Sequence, residues 1–399
     1  MALAVPGARR AVLARCVAAA ALDTVPFMPP LPALNQPDRP APKPGSLAER
    51  IRLVDDLAAI QPTAAADPPR LRLAILGAPD DLGVSLNNGR PGAAGGPAAI
   101  RQALARFGLP FDSLLRRDPL DRIDIVDAGD IAPTAAPADA PHDEREAALL
   151  ETHQQLRAVS AHLHQLGLLT LGLGGGHDLT LPMVQGLHNA RYAEPGAVAT
   201  TYTDPTNLGG VNIDAHLDVR ETVGSGMPFR RLIETGALAP ERFTVIGAGR
   251  FASSPEHVRW LELDCNPARG GARVLTIDEA RGVGVGNLFH MRMEEALRRA
   301  HLLGEHHRPG FVTFDLDAVD ASAAPGVSAV NPNGLSTAEA CRAAELAGIA
   351  PGVAHFDVME LNPAFDADGR TARLAATLVL HFIAGLAQRE GVAHDPHAD

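Results

Sequence analysis

The sequence predicts an α/β protein, a three-layer α/β/α arrangement on a mostly parallel, eight-stranded sheet. Three observations carry the prediction. Eight short β-branched or aliphatic runs recur along the chain, most of them apolar throughout, as strands buried on both faces must be. Each run leads into a turn rich in Gly or Asp. Helical stretches lie between the runs, and alternating strand and helix imply a parallel sheet covered on both sides.

In chain order the runs are 71–78, 122–127, 168–173, 210–214, 243–247, 273–277, 310–315 and 353–359. The stretches between and after them predict helices at 97–107, 143–165, 182–190, 286–303, 337–347 and 369–389. Pro97 suits a first helical turn. Ser336 and Glu339 have capping-box spacing, in which each side chain bonds the other residue's backbone N–H. Ser46 and Glu49 repeat that spacing, which predicts a helix from 46 to near Ile60, before Gln61-Pro62. Residues 26–44 hold eight prolines, a density that forbids regular structure and implies an extended arm or linker. The chain therefore divides into a Pro-rich extension, 1–45, and one domain, 46–399.

The 399 residues are 46% hydrophobic and 21% charged, an ordinary globular balance that excludes wholesale disorder. A net charge of −12 argues against a nucleic-acid-binding face. Three scattered cysteines, Cys16, Cys265 and Cys341, make neither a disulfide framework nor a thiolate metal site, and fit the reducing cytoplasm. The longest apolar stretch, 374–387, is short of the ~20 residues a membrane-spanning helix needs, and predicts a buried helix. The first 22 residues lack acidic groups and carry Arg9, Arg10 and Arg15 before the apolar run 16–22. That pattern admits a targeting segment, but the run's length favours an N-terminal helix or arm.

In a parallel sheet, ligands bind beyond the carboxyl ends of the strands. Three runs end in residues that carry chemistry: G-G-G-H-D at 174–178, D-A-H-L-D at 214–218 and D-L-D at 315–317. If these segments are extended, Asp214, His216 and Asp218 point the same way, as do Asp315 and Asp317. Four carboxylates packed together without a cation repel one another and are driven to protonate. With His177 and His216 they exceed one ordinary site and suit two divalent ions sharing bridging carboxylates. Oxygen-rich coordination with some imidazole favours Mn²⁺ over Zn²⁺. Alone, D-x-H-x-D, D-x-D or Gly-Gly-Gly-His is a weak signal and can be a solvated loop or turn. Their joint occurrence at strand ends is the strong one.

In this combination the chain resembles the ureohydrolases, the family of arginase, agmatinase and formimidoylglutamase, over about residues 71–389. The M-E-L-N-P of 359–363 adds to the three motifs above. The resemblance implies the arginase-like fold, one catalytic domain and two Mn²⁺ per subunit. It implies that His177 and Asp218 hold one manganese, His216 and Asp317 the other, and that Asp214 and Asp315 are shared. Glu360 resembles the family carboxylate that holds the substrate's amidine or guanidine group. Asp218 is the candidate proton relay to the departing amine. The family also implies a homo-oligomer, trimer or hexamer, acting on a small molecule; the net charge and the short apolar stretch argue against nucleic-acid and membrane partners.

The loop after the second motif points to a branch. Ser225 precedes Gly226, where arginases and agmatinases usually place a His. Arg220 stands where arginases have an Asn that contacts the substrate α-carboxylate. Its planar fork suits a carboxylate, although a surface ion pair is the plain alternative, as a turn role is for Ser225. The stretches 87–97, 324–329 and 366–373 also resemble formimidoylglutamase. Departures are Asp320-Ala321, where many arginases and agmatinases have Asp-Pro, and the Pro-rich extension. The expected reaction is N-formimino-L-glutamate plus water to L-glutamate and formamide. A guanidino-substrate hydrolase releasing urea and a catalytically silent assembly subunit are the alternatives. His355 and His381, inside apolar segments, are expected to be packed. His306 and His307 are expected in a solvated loop, and Cys265 and Cys341 are expected to be inert.

Overall fold

The computed structural model describes residues 31–36, 41–54, 56–60, 70–108, 119–192, 207–268, 270–297 and 309–389. The segment 1–22, His306 and His307 lie outside the described residues. The strands are β1 (Ile51–Leu53), β2 (Leu71–Ala78), β3 (Ile123–Asp130), β4 (Leu169–Gly174), β5 (Leu208–Ile213), β6 (Leu238–Ala248), β7 (Arg273–Thr276), β8 (Gly310–Asp315) and β9 (Val353–Met359). They form one parallel sheet in the order β1-β3-β2-β4-β9-β8-β5-β6-β7.

All eight expected runs are strands, and β1 corrects the count to nine among the described residues. It also corrects the helix expected from Ser46 to Ile60. That helix stops at Arg50, Ser46 makes no side-chain cap, and Glu49 instead accepts from the Gly45 N–H at 2.7 Å. Ile51 to Leu53 then pair with Ile125 to Asp127 of β3. The open edge of β3 offers these residues ladder hydrogen bonds, and tertiary pairing overrides a local capping pattern. Three residues are too few to show a period of two.

Alternation along β2 shows how both faces are covered. Leu73 and Ile75 join a core cluster with Ile100 of the helix Gly96–Leu104. Ala74 and Leu76 join another with Leu156 and Leu163 of the helix His142–Gln165. Strands β4, β5, β8 and β9 are buried at every residue. The apolar stretch 374–387 lies in the helix Arg370–Ala387; the span Ala367–Ala387 is long and apolar enough to cross a membrane by length and composition alone, yet 67% of its apolar window is buried inside the fold. Its Phe382 stacks on Phe356 of β9 at 4.4 Å. His381 departs from expectation: its side chain is 40% exposed beside Glu345. In the Pro-rich extension, Asn35 bridges Asp130 and Leu34 packs on the second core cluster.

Topology places the site. After β4 the chain skips to β5, builds outward to β7, and returns to insert β8 and β9 between β5 and β4. The carboxyl ends of β4, β9, β8 and β5 thus meet where strand order changes direction, the preferred ligand position in such sheets.

Candidate metal centre

Each of these four strands delivers side chains to one place. β4 runs through Gly174-Gly175-Gly176 to His177, β5 leads into Asp214, β8 ends in Asp315, and β9 hands on to Glu360. The glycines have a definite reason. A Cβ at Gly175 would overlap the Asp80 carbonyl oxygen, and one at Gly174 would overlap Met359 Sδ. Side chains converge by tight turns, not by extended alternation as the spacing suggested. Asp214 Oδ1 accepts from the His216 N–H at 2.6 Å, and Asp315 Oδ1 accepts from the Asp317 N–H at 2.8 Å. Asp218 (φ 49°) and Glu360 (φ 67°) occupy the left-handed region, which costs on the order of 1–3 kcal/mol for such residues and clusters at functional sites.

His177 Nδ1 lies 3.2 Å from Asp214 Oδ2, 3.0 Å from Asp218 Oδ2 and 3.1 Å from Asp315 Oδ2. His216 Nδ1 lies 3.5 Å from Asp214 Oδ1 and 3.0 Å from Asp317 Oδ2. Ligand atoms of His177, Asp214, Asp218 and Asp315 lie within 4.8 Å of one another, as do those of Asp214, His216 and Asp317. Asp214 therefore turns one oxygen to each set. Asp315, implied by resemblance to be shared, groups with the first set by this distance.

The donor set fits two divalent cations. His177 Nδ1, though ringed by three carboxylate oxygens, makes no hydrogen bond, and Asp317 Oδ1 and Glu360 Oε2 are likewise buried without partners. Charge tells the same story. Burial and the neighbouring acids Asp317 and Asp214 push Asp315 well above the usual carboxylate range. Burial also raises Asp218 and Asp317. Asp317 raises His216. Burial alone would lower His177, but its contacts with Asp214, Asp218 and Asp315 raise it. Asp214 goes the other way: burial would raise it, but its contacts with His177 and His216 hold it below the usual carboxylate range. Carboxylates crowded into a dry site favour protonation unless positive charge offsets them.

A buried chain of hydrogen bonds holds His177 from behind. Its Nε2 is 2.9 Å from Thr313 Oγ1, which lies 3.2 Å from Thr180 Oγ1. Thr180 donates to Asp357 Oδ2 at 2.9 Å, and His355 Nε2 meets the same oxygen at 2.9 Å. Thr170 Oγ1 completes the path at 2.7 Å from His355 Nδ1. His355 is thus packed as expected, fully buried with both ring nitrogens engaged. Cys265 and Cys341 are free and buried, and burial raises both thiols.

Above the cluster opens a cleft of about 960 Å³, lined by His216, Asp218, Arg220, Ser225, Asp317 and Glu360 among others. This volume suits a small molecule. Glu360 is buried; its Oε1 accepts from the His177 N–H at 2.9 Å, leaving Oε2 free. Burial, with help from Asp317 and Asp218, lifts its pKa to about 8. Arg220 is exposed at the rim and donates from Nη1 to Asn87 Oδ1 at 2.8 Å, while Asn87 Nδ2 donates to Ser225 Oγ at 3.2 Å. Asn87 escaped the sequence reading as a site residue. Its stretch, 87–97, was legible only through family resemblance.

The model of the arginase family matches residues 71–385. The formimidoylglutamase of Ralstonia nicotianae is 32% identical over 357 residues, covering 88% of this chain and 94% of that protein. The guanidinopropionase of Pseudomonas aeruginosa is 29% identical over 337 residues, covering 82% of this chain and 90% of that protein. The crystal structure of Trypanosoma cruzi formiminoglutamase with Mn2+2 is 28% identical, with a TM-score of 0.65, covering 84% of this chain and 98% of that one.

Proposed function

The chain belongs to the arginase family, and we propose that it hydrolyses N-formimino-L-glutamate to L-glutamate and formamide. His177, Asp214, Asp218 and Asp315 would hold one Mn²⁺, and Asp214, His216 and Asp317 the other. When bound, the ions supply Lewis-acid activation of water near neutral pH. Glu360 Oε2, buried and unpartnered beside the cluster, would hold the substrate's formimino nitrogen. Developing charge on that group would be offset by a preorganised carboxylate. Asp218 lines the cleft and also faces His177, a position from which it would pass a proton to the departing amine.

One observation carries the substrate assignment. Arg220 places an exposed guanidinium at the rim of the same cleft, bonded to a neutral amide, with no carboxylate in ion-pair range among the described residues. A guanidinium fork matches a carboxylate, so the substrate would carry one beyond its amidine. The similarity to guanidinopropionase favours a second reading, a carboxylate-bearing guanidino substrate that releases urea. Convergence of all six candidate ligands argues against the silent subunit. Two free cysteines support the cytoplasm as its location.

The deciding experiment supplies Mn²⁺ and screens formiminoglutamate, guanidinopropionate, guanidinobutyrate, arginine and agmatine. Glutamate and formamide are expected from the first. Urea as the exclusive product of the panel would overturn the proposal in favour of the second reading.

A further inference from the structure

Among the described residues three arginines line the cleft, and their surroundings differ. Arg90 donates to the carbonyls of Val327 and Ser328 and lies over the Phe365 ring at 4.0 Å. Arg230 donates to the Val219 carbonyl at 2.6 Å, stacks on Trp260 at 3.8 Å, and has Glu234 at 3.6 Å and Glu221 at 3.9 Å. Both are committed to holding loops. Among the described residues, Arg220 has only the Asn87 amide as a side-chain partner.

That amide is itself fixed. Asn87 closes the helix Leu82–Leu86, and its backbone N–H donates to the carbonyls of Gly83 and Val84. The Gly83 carbonyl also accepts from the Ser225 N–H at 2.9 Å, which ties this helix to the loop carrying Arg220. A guanidinium can only donate, so the amide oxygen faces Arg220 and the NH₂ is left for the Ser225 hydroxyl. On the other side the Arg220 stem lies on Gly226, where a Cβ would come within 2.9 Å of Arg220 Cδ. One amide therefore holds two of the three residues that the sequence nominates for substrate binding, Arg220 and Ser225. It does so without neutralising the arginine.

We infer that Asn87 is the positioning residue for substrate selection: it aims Arg220 into the cleft and leaves the guanidinium charge for a substrate carboxylate. The inference rests on the proposed reading of Arg220 as the carboxylate anchor. An aspartate of the same shape would pair with Arg220 and compete with substrate, whereas alanine would only free the arginine to move. The two substitutions thus separate electrostatics from packing.

The experiment compares Asn87→Asp, Asn87→Ala and Arg220→Met, Mn²⁺-loaded, on formiminoglutamate. Melting curves establish folding, and competitive inhibition by L-glutamate gives a readout independent of turnover. Asn87→Asp is expected to raise KM, and to weaken glutamate inhibition, by roughly tenfold with kcat little changed, and to do so more than Asn87→Ala. A merely structural role gives the opposite order, because aspartate is the closer isostere. If Arg220→Met raises KM while Asn87→Asp leaves both readouts unchanged, the Asn87 inference fails and the Arg220 reading stands. If Arg220→Met leaves both unchanged, the Arg220 reading fails and the inference falls with it.

Discussion

The backbone N–H of His177 donates to Glu360 Oε1 at 2.9 Å. This bond joins the end of β4 to the end of β9, pins one oxygen of Glu360, and leaves Oε2 for the cleft. Glu360→Gln keeps an acceptor for the bond but removes the charge. Activity should fall by about 10²-fold or more, with Mn²⁺ content unchanged by elemental analysis. Unchanged turnover would show that Glu360 does not hold the reacting group.

The same residue makes a stability prediction. Its pKa rises from 4.5 to about 8 on folding, chiefly through burial. A carboxyl raised in the folded state binds its proton more tightly there, so its contribution is fully present below about 4.5 and lost as pH climbs through about 8. The slope of stability with pH follows the difference in bound protons. Metal-free wild type should therefore lose stability relative to metal-free Glu360→Gln across that window. Parallel denaturation midpoints would contradict it.

Metal loading should release protons. Asp218, Asp315, Asp317, His177 and His216 all shift upward, through burial, the neighbouring acids or, for the imidazoles, the carboxylates facing them. Ligands must shed these protons to bind a cation. Mn²⁺ affinity of the metal-free chain should rise with pH, and calorimetry in buffers of different ionisation enthalpy should record net release. Binding indifferent to both would sink the electrostatic account.

Thr313 supports His177 from behind through Nε2. Groups that orient a metal-binding histidine typically change affinity 10–100-fold when removed. Thr313→Val should weaken Mn²⁺ binding by about tenfold, and Thr313→Ser should restore it. Equal affinities across the three proteins would show that the contact positions nothing.

Gly175→Ala tests the glycine-rich turn. Its new methyl would overlap the Asp80 carbonyl oxygen, and backbone cannot swing aside as a side-chain tip can. Overpacking of this kind costs typically 1–3 kcal/mol. A lower melting temperature and weaker Mn²⁺ binding are expected; a wild-type melting curve would show that the turn has room.

The sheet was legible because its strands are buried on both faces and so read as continuous apolar runs, as at β4 and β8. The acid cluster was legible because its motifs follow predicted strands, and the switch in strand order puts four of those strand ends together. β1 was not: three residues beside a free sheet edge carry no period, and Ser46 and Glu49 promised a helix that pairing with β3 overrode. Local geometry was not legible either. Asp214 and Asp315 reach their places through turns closed on their own carboxylates, not through extended alternation. Asn87 was hidden because a single amide has meaning only once Arg220 and Ser225, more than a hundred residues away, are brought beside it.

The most direct test of the central claim counts manganese per chain. Asp214 turns Oδ2 toward His177 and Oδ1 toward His216, so it would serve both ions at once. Wild-type protein loaded with Mn²⁺ and freed of excess should hold two ions per chain, and Asp214→Ala, checked for native folding, should hold close to none. Wild type that retains no manganese, or Asp214→Ala that keeps both ions, would contradict a shared two-metal centre.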